Sequence, residues 1–487
     1  MANSDIFLVQ FRLFIRIGYC TSNTSDPASK TMENLSEETK TDIHRYPPGS
    51  YRQVWVLAYP IIITMLSQTF MWLADTIMVG RLGTTQLGAV GLGGSIVWTF
   101  FAFFNGLISS ANTFVSQDYG AKRYSGIGKT VWHYLYIAVG SYIALIVFVP
   151  VSGLVFKLIG PSAQVAKYGG VYTSIRLYSG IGVFVSFSLA GFFRGIGNTK
   201  TPMWIAIFAN IFNIIANYVL IFGKLGLPRL EVTGAALATF ISSIFSAVLY
   251  LIFSLSRKYD KLYFVRSFYR IEFALIRRLL RVGLPMGVQF FLDHASFSVF
   301  IAFIARMGDA PLAASNAAIT LMSTSFMPLV GISIATTTLV GQFIGAGELD
   351  NARKSGYTAI KMGTLYAALI ASNYFLFPKF LVSIISKEPE VIDLGAKILM
   401  LAGVFQLSDG FGICANGALR GAGDTRFVMV VGLSYAWFLF VPLAYFLGHT
   451  LNGGVVGSWI GATVYIVIYG VTVFLRFRRG KWESIKI

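Results

Sequence analysis

Three acidic residues, Asp75, Asp293 and Asp409, each interrupt an apolar run long enough to cross a bilayer. An ionised carboxylate at the membrane centre costs about 3 kcal/mol even on a lenient insertion scale, so each needs a reason to be there. Such groups bind whatever neutralises them: a proton, a metal cation or an organic cation. Asp293 lies halfway between Arg281 and Arg306 and Asp409 about halfway between Lys397 and Arg420, which places both near the bilayer centre, with Asp75 shallower. Asn213 and Asn217 stand four residues apart, on one helical face. Their amides can hydrogen-bond a carboxylate and report its protonation to the helix packing. Gln68, Gln289 and Asn316 are further polar residues in apolar segments, with weaker claims. Some of the 42 Phe and 24 Tyr can line a pocket for flat cations.

Other chemistries find little support. Gly126-Ile-Gly-Lys-Thr130 ends like a phosphate-binding loop, but the first glycine of that motif would fall on Arg123 and no strand precedes it. The four histidines, His44, His133, His294 and His449, have no metal-ligand spacing. No serine or cysteine sits in a nucleophile setting. An ATP site is not expected, no cofactor is implied, and an enzyme is the weaker hypothesis. The loops Arg194–Lys200 and Arg420–Arg426 both read Arg-Gly-x-Gly-x-Thr and suit tight turns in which glycine takes positive φ.

The elements that must hold these acids are helices in a membrane. Hydrophobic residues make up 55% of the chain and charged residues 12%, far from the balance of a soluble domain. Spans are predicted at 54–79, 88–116, 131–156, 169–193, 202–223, 234–255, 283–305, 314–341, 356–384, 394–416, 428–448 and 455–475. Pro60–Ala121 lies over Pro285–Ala346 without a gap, matching Arg81 to Arg306, Gly106 to Gly331, Gln117 to Gln342 and Gly120 to Gly345. The chain is therefore a tandem duplication of six spans. An even number per copy makes the repeat parallel, related by an axis along the membrane normal. The acids break the repeat: the mates of Asp75, Asp293 and Asp409 are Phe300, Gln68 and Val183. An acid needed only to build the fold would be expected in both copies.

The expected fold is an all-α polytopic membrane protein of twelve transmembrane helices in two six-helix bundles. Residues 1–50 form a polar, disordered tail, 51–256 the first bundle, 257–281 a basic linker, 282–477 the second bundle and 478–487 a basic tail. Within the tail, Ile6–Ile17 reads either as an interfacial anchor or as residues ahead of a true start at Met32. The linker's alternating aromatic and basic residues suggest an amphipathic helix on the inner membrane face and a hinge. The net charge of +18 comes from basic residues on alternate loops. By the positive-inside rule those loops and both termini are cytoplasmic. The charge thus reports topology and implies no nucleic-acid partner. Cys20 and Cys414 offer no disulfide framework.

With these residues in place the chain resembles a known family. Leu73-Ala-Asp-Thr-Ile-Met-Val-Gly-Arg-Leu-Gly83, Val115-Ser-Gln-Asp-Tyr-Gly-Ala121, Asn213–Gly223 and Gly417-Ala-Leu-Arg-Gly421 are similar to signatures of multidrug and toxic compound extrusion (MATE) transporters. The resemblance covers about residues 51–480 and implies a V-shaped pair of bundles that exports organic cations in exchange for Na+ or H+. It implies that Asp75 is the first-span acid, that Asn213 and Asn217 are its partners, and that Asp293 and Asp409 match the acids of the NorM-like branch. Those two would be the Na+ ligands if Na+ is the coupling ion. Asp replaces the branch's usual Glu at 293, and Phe405 stands where some members carry a coordinating Tyr. The expected protein is a monomeric antiporter of the plasma (inner) membrane. A flippase for a lipid-linked precursor is the alternative; it would need a basic cavity, and Arg176 is the exception among mainly acidic intramembrane charges. A channel is disfavoured by the duplication and the acids.

Overall fold

A computed structural model describes residues 45–485 and 487. The polar segment Thr21–Thr41, the stretch Ile6–Ile17 and Met32 lie outside the described residues. Ser50 opens the first helix by accepting the Gln53 amide at 3.3 Å, an N-cap bond. Residues just before it do not trail free: the Gly49 carbonyl accepts from Thr358 Oγ1 at 2.7 Å, so the end of the expected tail is docked on the second bundle.

The first bundle comprises α1 (Tyr51–Gly80), α2 (Thr84–Ser109) continued by α3 (Ala111–Gly120), α4 (Tyr124–Ile146), the short α5 (Val149–Ile159), α6 (Ala163–Tyr178), α7 (Gly180–Gly195), α8 (Lys200–Phe222) and α9 (Glu231–Ser254). After α10 (Arg257–Tyr263), the second bundle comprises α11 (Phe273–Ala305), α12 (Asp309–Gly345), α13 (Leu349–Leu376), the short α14 (Pro378–Ser383), α15 (Pro389–Gly421), α16 (Thr425–Thr450) and α17 (Gly454–Arg478). Among the described residues nine helices are long and apolar enough to cross a membrane, and the pair α6 and α7, bent by 42°, makes a tenth span. α4 and α13, of 23 and 28 residues, complete the twelve. They are more polar, carrying His133 and several tyrosines in one and Lys361 and Asn373 in the other.

Two predicted spans overshoot. Those at 131–156 and 356–384 end at Ile146 and Leu376, because Pro150 and Pro378 each sit in the first turn of a new short helix. Proline fits there, where its missing N–H costs nothing, and cannot carry on the preceding helix. The predicted span at 169–193 starts earlier, at Ala163, and is bent at Ser179. α16 includes two π-helical stretches, Ala436–Phe440 and Phe446–Thr450, on either side of Pro442.

The linker is not one amphipathic helix. Arg257–Tyr263 is helical and α11 already begins at Phe273, but the residues between them are not, and Tyr259, Leu262 and Tyr263 are buried against the first bundle. Trp132 Nε1 donates to Val265 O at 2.8 Å, Tyr136 Oη to Tyr269 O at 2.7 Å, and the Glu272 amide to His133 Nε2 at 3.0 Å. Three side chains of α4 therefore clamp the segment proposed as a hinge. Large apolar side chains such as Ile143, Leu365, Leu369 and Phe438 are exposed, as helices facing lipid require.

The repeat is visible where the bundles meet, at the end that carries the basic loops. Gln117 Nε2 donates to Gly421 O at 3.0 Å, and its repeat mate Gln342 donates to Gly195 O at 2.8 Å. Gly120 lies so close to the Gln342 backbone, and Gly345 to the Gln117 backbone, that a methyl on either would collide with the facing carbonyl. Gly195 and Gly421 belong to the two Arg-Gly-x-Gly-x-Thr segments, whose second glycines, Gly197 and Gly423, have φ of 83° and 85°. Those segments are turns that also present carbonyls to the opposite bundle. Their arginines correct the sequence reading: Arg194 and Arg420 are last-turn residues of α7 and α15, half-buried, with enclosed Nε atoms, rather than loop charges.

Candidate functional site

The predicted site residues fall into two clusters, one in each bundle. In the first, Asp75 on α1 meets α8. Asn217 Nδ2 donates to Asp75 Oδ1 and also to Asn213 Oδ1, the latter at 2.9 Å. Both asparagines are fully buried. The four-residue spacing stacks them on one face of α8, so a single amide nitrogen joins the carboxylate to its neighbour. Asn210, one turn earlier, donates to Ser67 on α1 at 2.7 Å and ties the two helices a second time. Arg176 on α6 is within electrostatic range of Asp75, as is Tyr172, and Arg176 Nη1 also donates to Ser179 Oγ at 3.2 Å. Asn213 Nδ2 and Asn217 Oδ1 have no protein partner.

In the second bundle Asp293 on α11 and Asp409 on α15 face α17. Tyr465 and Tyr469, one turn apart and stacked with ring centres 6.1 Å apart, lie within electrostatic range of both acids. Gln289 is the hub: its Nε2 donates to Tyr469 Oη at 3.3 Å, its Oε1 accepts from Arg420 Nη2 at 3.1 Å, and it lies beside Asp293, one turn away on α11. Asn416 donates to the same Tyr469 hydroxyl at 3.0 Å. The Arg420 guanidinium lies 4.8 Å over the Phe290 ring, a cation–π contact that helps hold the charge away from water. Gln289 thus joins the site. Gln68 is half-buried and Asn316 is exposed, and neither side chain takes part in these networks.

Sequence reasoning missed Tyr465, Tyr469, Asn416 and Arg420. The two tyrosines are four residues apart, a usable signal, but among 24 tyrosines it did not stand out. In the sequence Arg420 reads as part of a turn motif, and Arg176 as a lone base among mainly acidic intramembrane charges.

Between the bundles is a cavity of about 260 Å³ lined by Trp98, Ala102 and Asn105 of α2, Phe187 of α7, and Phe290 and Asp293 of α11. It lies farther from the basic end than the close approach of Gly106 to Met286, since α2 runs toward that end and α11 away from it. The glutamine seam and this crossing close the basic side, and the cavity brings one of the half-buried acids, Asp293, to open space.

A family model, MatE, matches residues 60–219 and again 285–446, once on each copy of the repeat. The chain belongs to the MatE family. Among relatives of this MatE protein, a probable multidrug resistance protein NorM of Rhodopseudomonas palustris is 30% identical over 437 residues, 87% of this chain and 90% of that one. The multidrug resistance protein MdtK of Yersinia pseudotuberculosis is 28% identical, covering 88% of this chain and 95% of its own. Among solved structures, a multidrug resistance MATE transporter in the outward-facing conformation superposes with a TM-score of 0.83 at 22% identity, over 91% of this chain and 98% of that one. A transporter of the MOP superfamily from Pyrococcus furiosus gives 0.81 at 23% identity, with the same coverage. These likenesses show the twelve-helix fold. Among the described residues no three His, Cys, Asp or Glu side chains are grouped to hold a metal ion.

Proposed function

We propose that this MatE protein is a secondary active antiporter that exports organic cations in exchange for Na+ or H+. The observation that carries this reading is the placement of Asp293: a carboxylate inside a membrane protein, beside the polar network around Gln289, at the wall of an aromatic-lined cavity between two repeat-related bundles. An organic cation would be held there by charge and by the faces of Trp98, Phe187 and Phe290. An inward-moving ion that binds Asp293 and Asp409, or a proton taken up by Asp75, removes the negative charge the drug needs, so drug and ion compete. Neutralising Asp75 would also alter the bond it accepts from Asn217, which couples its charge to the packing of α1 on α8. A one-for-one exchange of monovalent cations moves no net charge, so the ion's own concentration gradient would drive it.

The basic end is read as cytoplasmic, with both termini there and the protein in the plasma (inner) membrane, working as a monomer without ATP, a resident cofactor or an enzymatic step. In that orientation the described conformation holds the cavity away from the cytoplasm. A lipid-precursor flippase is disfavoured because the residues lining the cavity include an acid and no base. The test is ethidium efflux from proteoliposomes under a Na+ gradient or a pH gradient, comparing wild type with Asp75→Asn, Asp293→Asn and Asp409→Asn. Gradient-driven efflux that the substitutions abolish would support the antiporter and name its ion. Efflux that needs neither gradient, or that survives all three substitutions, would overturn it.

A further inference from the structure

Asn105 is 4% exposed, yet both polar atoms of its side chain lack a protein partner. Buried amides in native proteins are nearly always satisfied, so this one calls for an explanation. Its position supplies one. Residues 98, 102 and 105 fall on one face of α2, and that face lines the inter-bundle cavity across from Phe290 and Asp293 on the other bundle. Its repeat mate is Val330, so the duplicated architecture does not need an amide at this point. The same reasoning marks the three intramembrane acids.

We infer that Asn105 is a specificity-determining residue. Asp293 supplies charge, the aromatic walls accept a flat ring, and the Asn105 amide reads the hydrogen-bonding groups on that ring. An amide offers both an acceptor and two donors, so the preferred ligands are planar organic cations with N–H or O–H groups beside the charged ring. Equally cationic rings whose exocyclic nitrogens are fully alkylated lose those contacts. The inference rests on the organic-cation reading above and adds the selection rule.

Proflavine and acridine orange test it as a matched pair: both are acridinium cations, and the second has its exocyclic amines methylated. Binding of each to purified full-length protein in lipid nanodiscs is measured by fluorescence polarisation for wild type, Asn105→Leu and Asn105→Ser. Asn105→Leu should weaken proflavine about two- to tenfold, the range of one neutral hydrogen bond. It should leave acridine orange within about twofold on the same scale, and Asn105→Ser should keep part of the preference. Acridine orange binding also reports that each variant is folded. An unchanged ratio of the two dissociation constants, or a parallel loss for both dyes, would overturn the role of Asn105 alone. If the wild type binds neither dye, the organic-cation reading falls and this inference with it.

Discussion

Gln117 and Gln342, mates in the internal repeat, reach in opposite directions across the junction of the two bundles and end on the repeat-mate carbonyls of Gly421 and Gly195. Thr113 and Thr338, also mates, add bonds from each side, to Arg420 O at 3.0 Å and Asn112 Oδ1 at 3.1 Å. Each such bond is worth about 0.5–1.5 kcal/mol, so the seam is firm as a set and weak bond by bond. That balance suits a junction that must open during a transport cycle, since a ligand can shift a two-state equilibrium only by its differential affinity for the states.

Gly120→Ala and Gly345→Ala should each force the seam apart, because the added methyl meets a backbone carbonyl that cannot swing aside. Spin labels on the exposed basic-end residues Lys122 and Asp350 should then report longer distances, with apolar packing elsewhere intact. An unchanged distance distribution would show that this seam does not hold the closed end.

Asn217 should matter more than Asn213, although both are buried. Its amide nitrogen serves both Asp75 and Asn213, so Asn217→Leu removes a bond to a charged group, about 1.5–3 kcal/mol, as well as a neutral one. Asn213→Leu removes only the neutral bond. Thermal unfolding in nanodiscs should rank wild type above Asn213→Leu and that above Asn217→Leu; the reverse order would refute the hub role.

Gln289→Leu should cost about 1–3 kcal/mol, because it strips Arg420 Nη2 of its partner inside the bundle. Combining it with Arg420→Met should recover part of the loss, as replacing both partners by apolar groups often does. Additive losses in the double variant, read from denaturation midpoints, would count against the coupling.

Attachment of the linker should be pH-dependent. The Lys129 ammonium bonds Glu272 at 2.7 Å and holds its carboxyl below the ordinary range. A depressed carboxyl contributes stability above its unfolded value of about 4.3 and loses it as the pH falls through the lower folded value. Protection of the linker amides, taken relative to their intrinsic exchange rate at each pH, should therefore fall on acidification below about pH 4 in wild type, and this acid step should be absent from Glu272→Gln. The same step in both proteins would assign it elsewhere.

Sequence alone determined the membrane class, the twelve spans, the duplication and the three misplaced acids, because apolar length, repeat spacing and a charge in an apolar run are local properties of the chain. It erred where one residue redirects a helix: Pro150 and Pro378 start new helices inside predicted spans, and the basic linker proved to be clamped to α4. The partners of the acids were only partly legible. Asn213 and Asn217 share a face by spacing, but that this face meets Asp75 depends on how α1 packs against α8. The ring of Gln289, Tyr469, Asn416 and Arg420 gathers residues from three helices. Helical periodicity says which residues share a face and is silent on which faces meet; packing between helices made that choice and set Asn105 opposite Asp293.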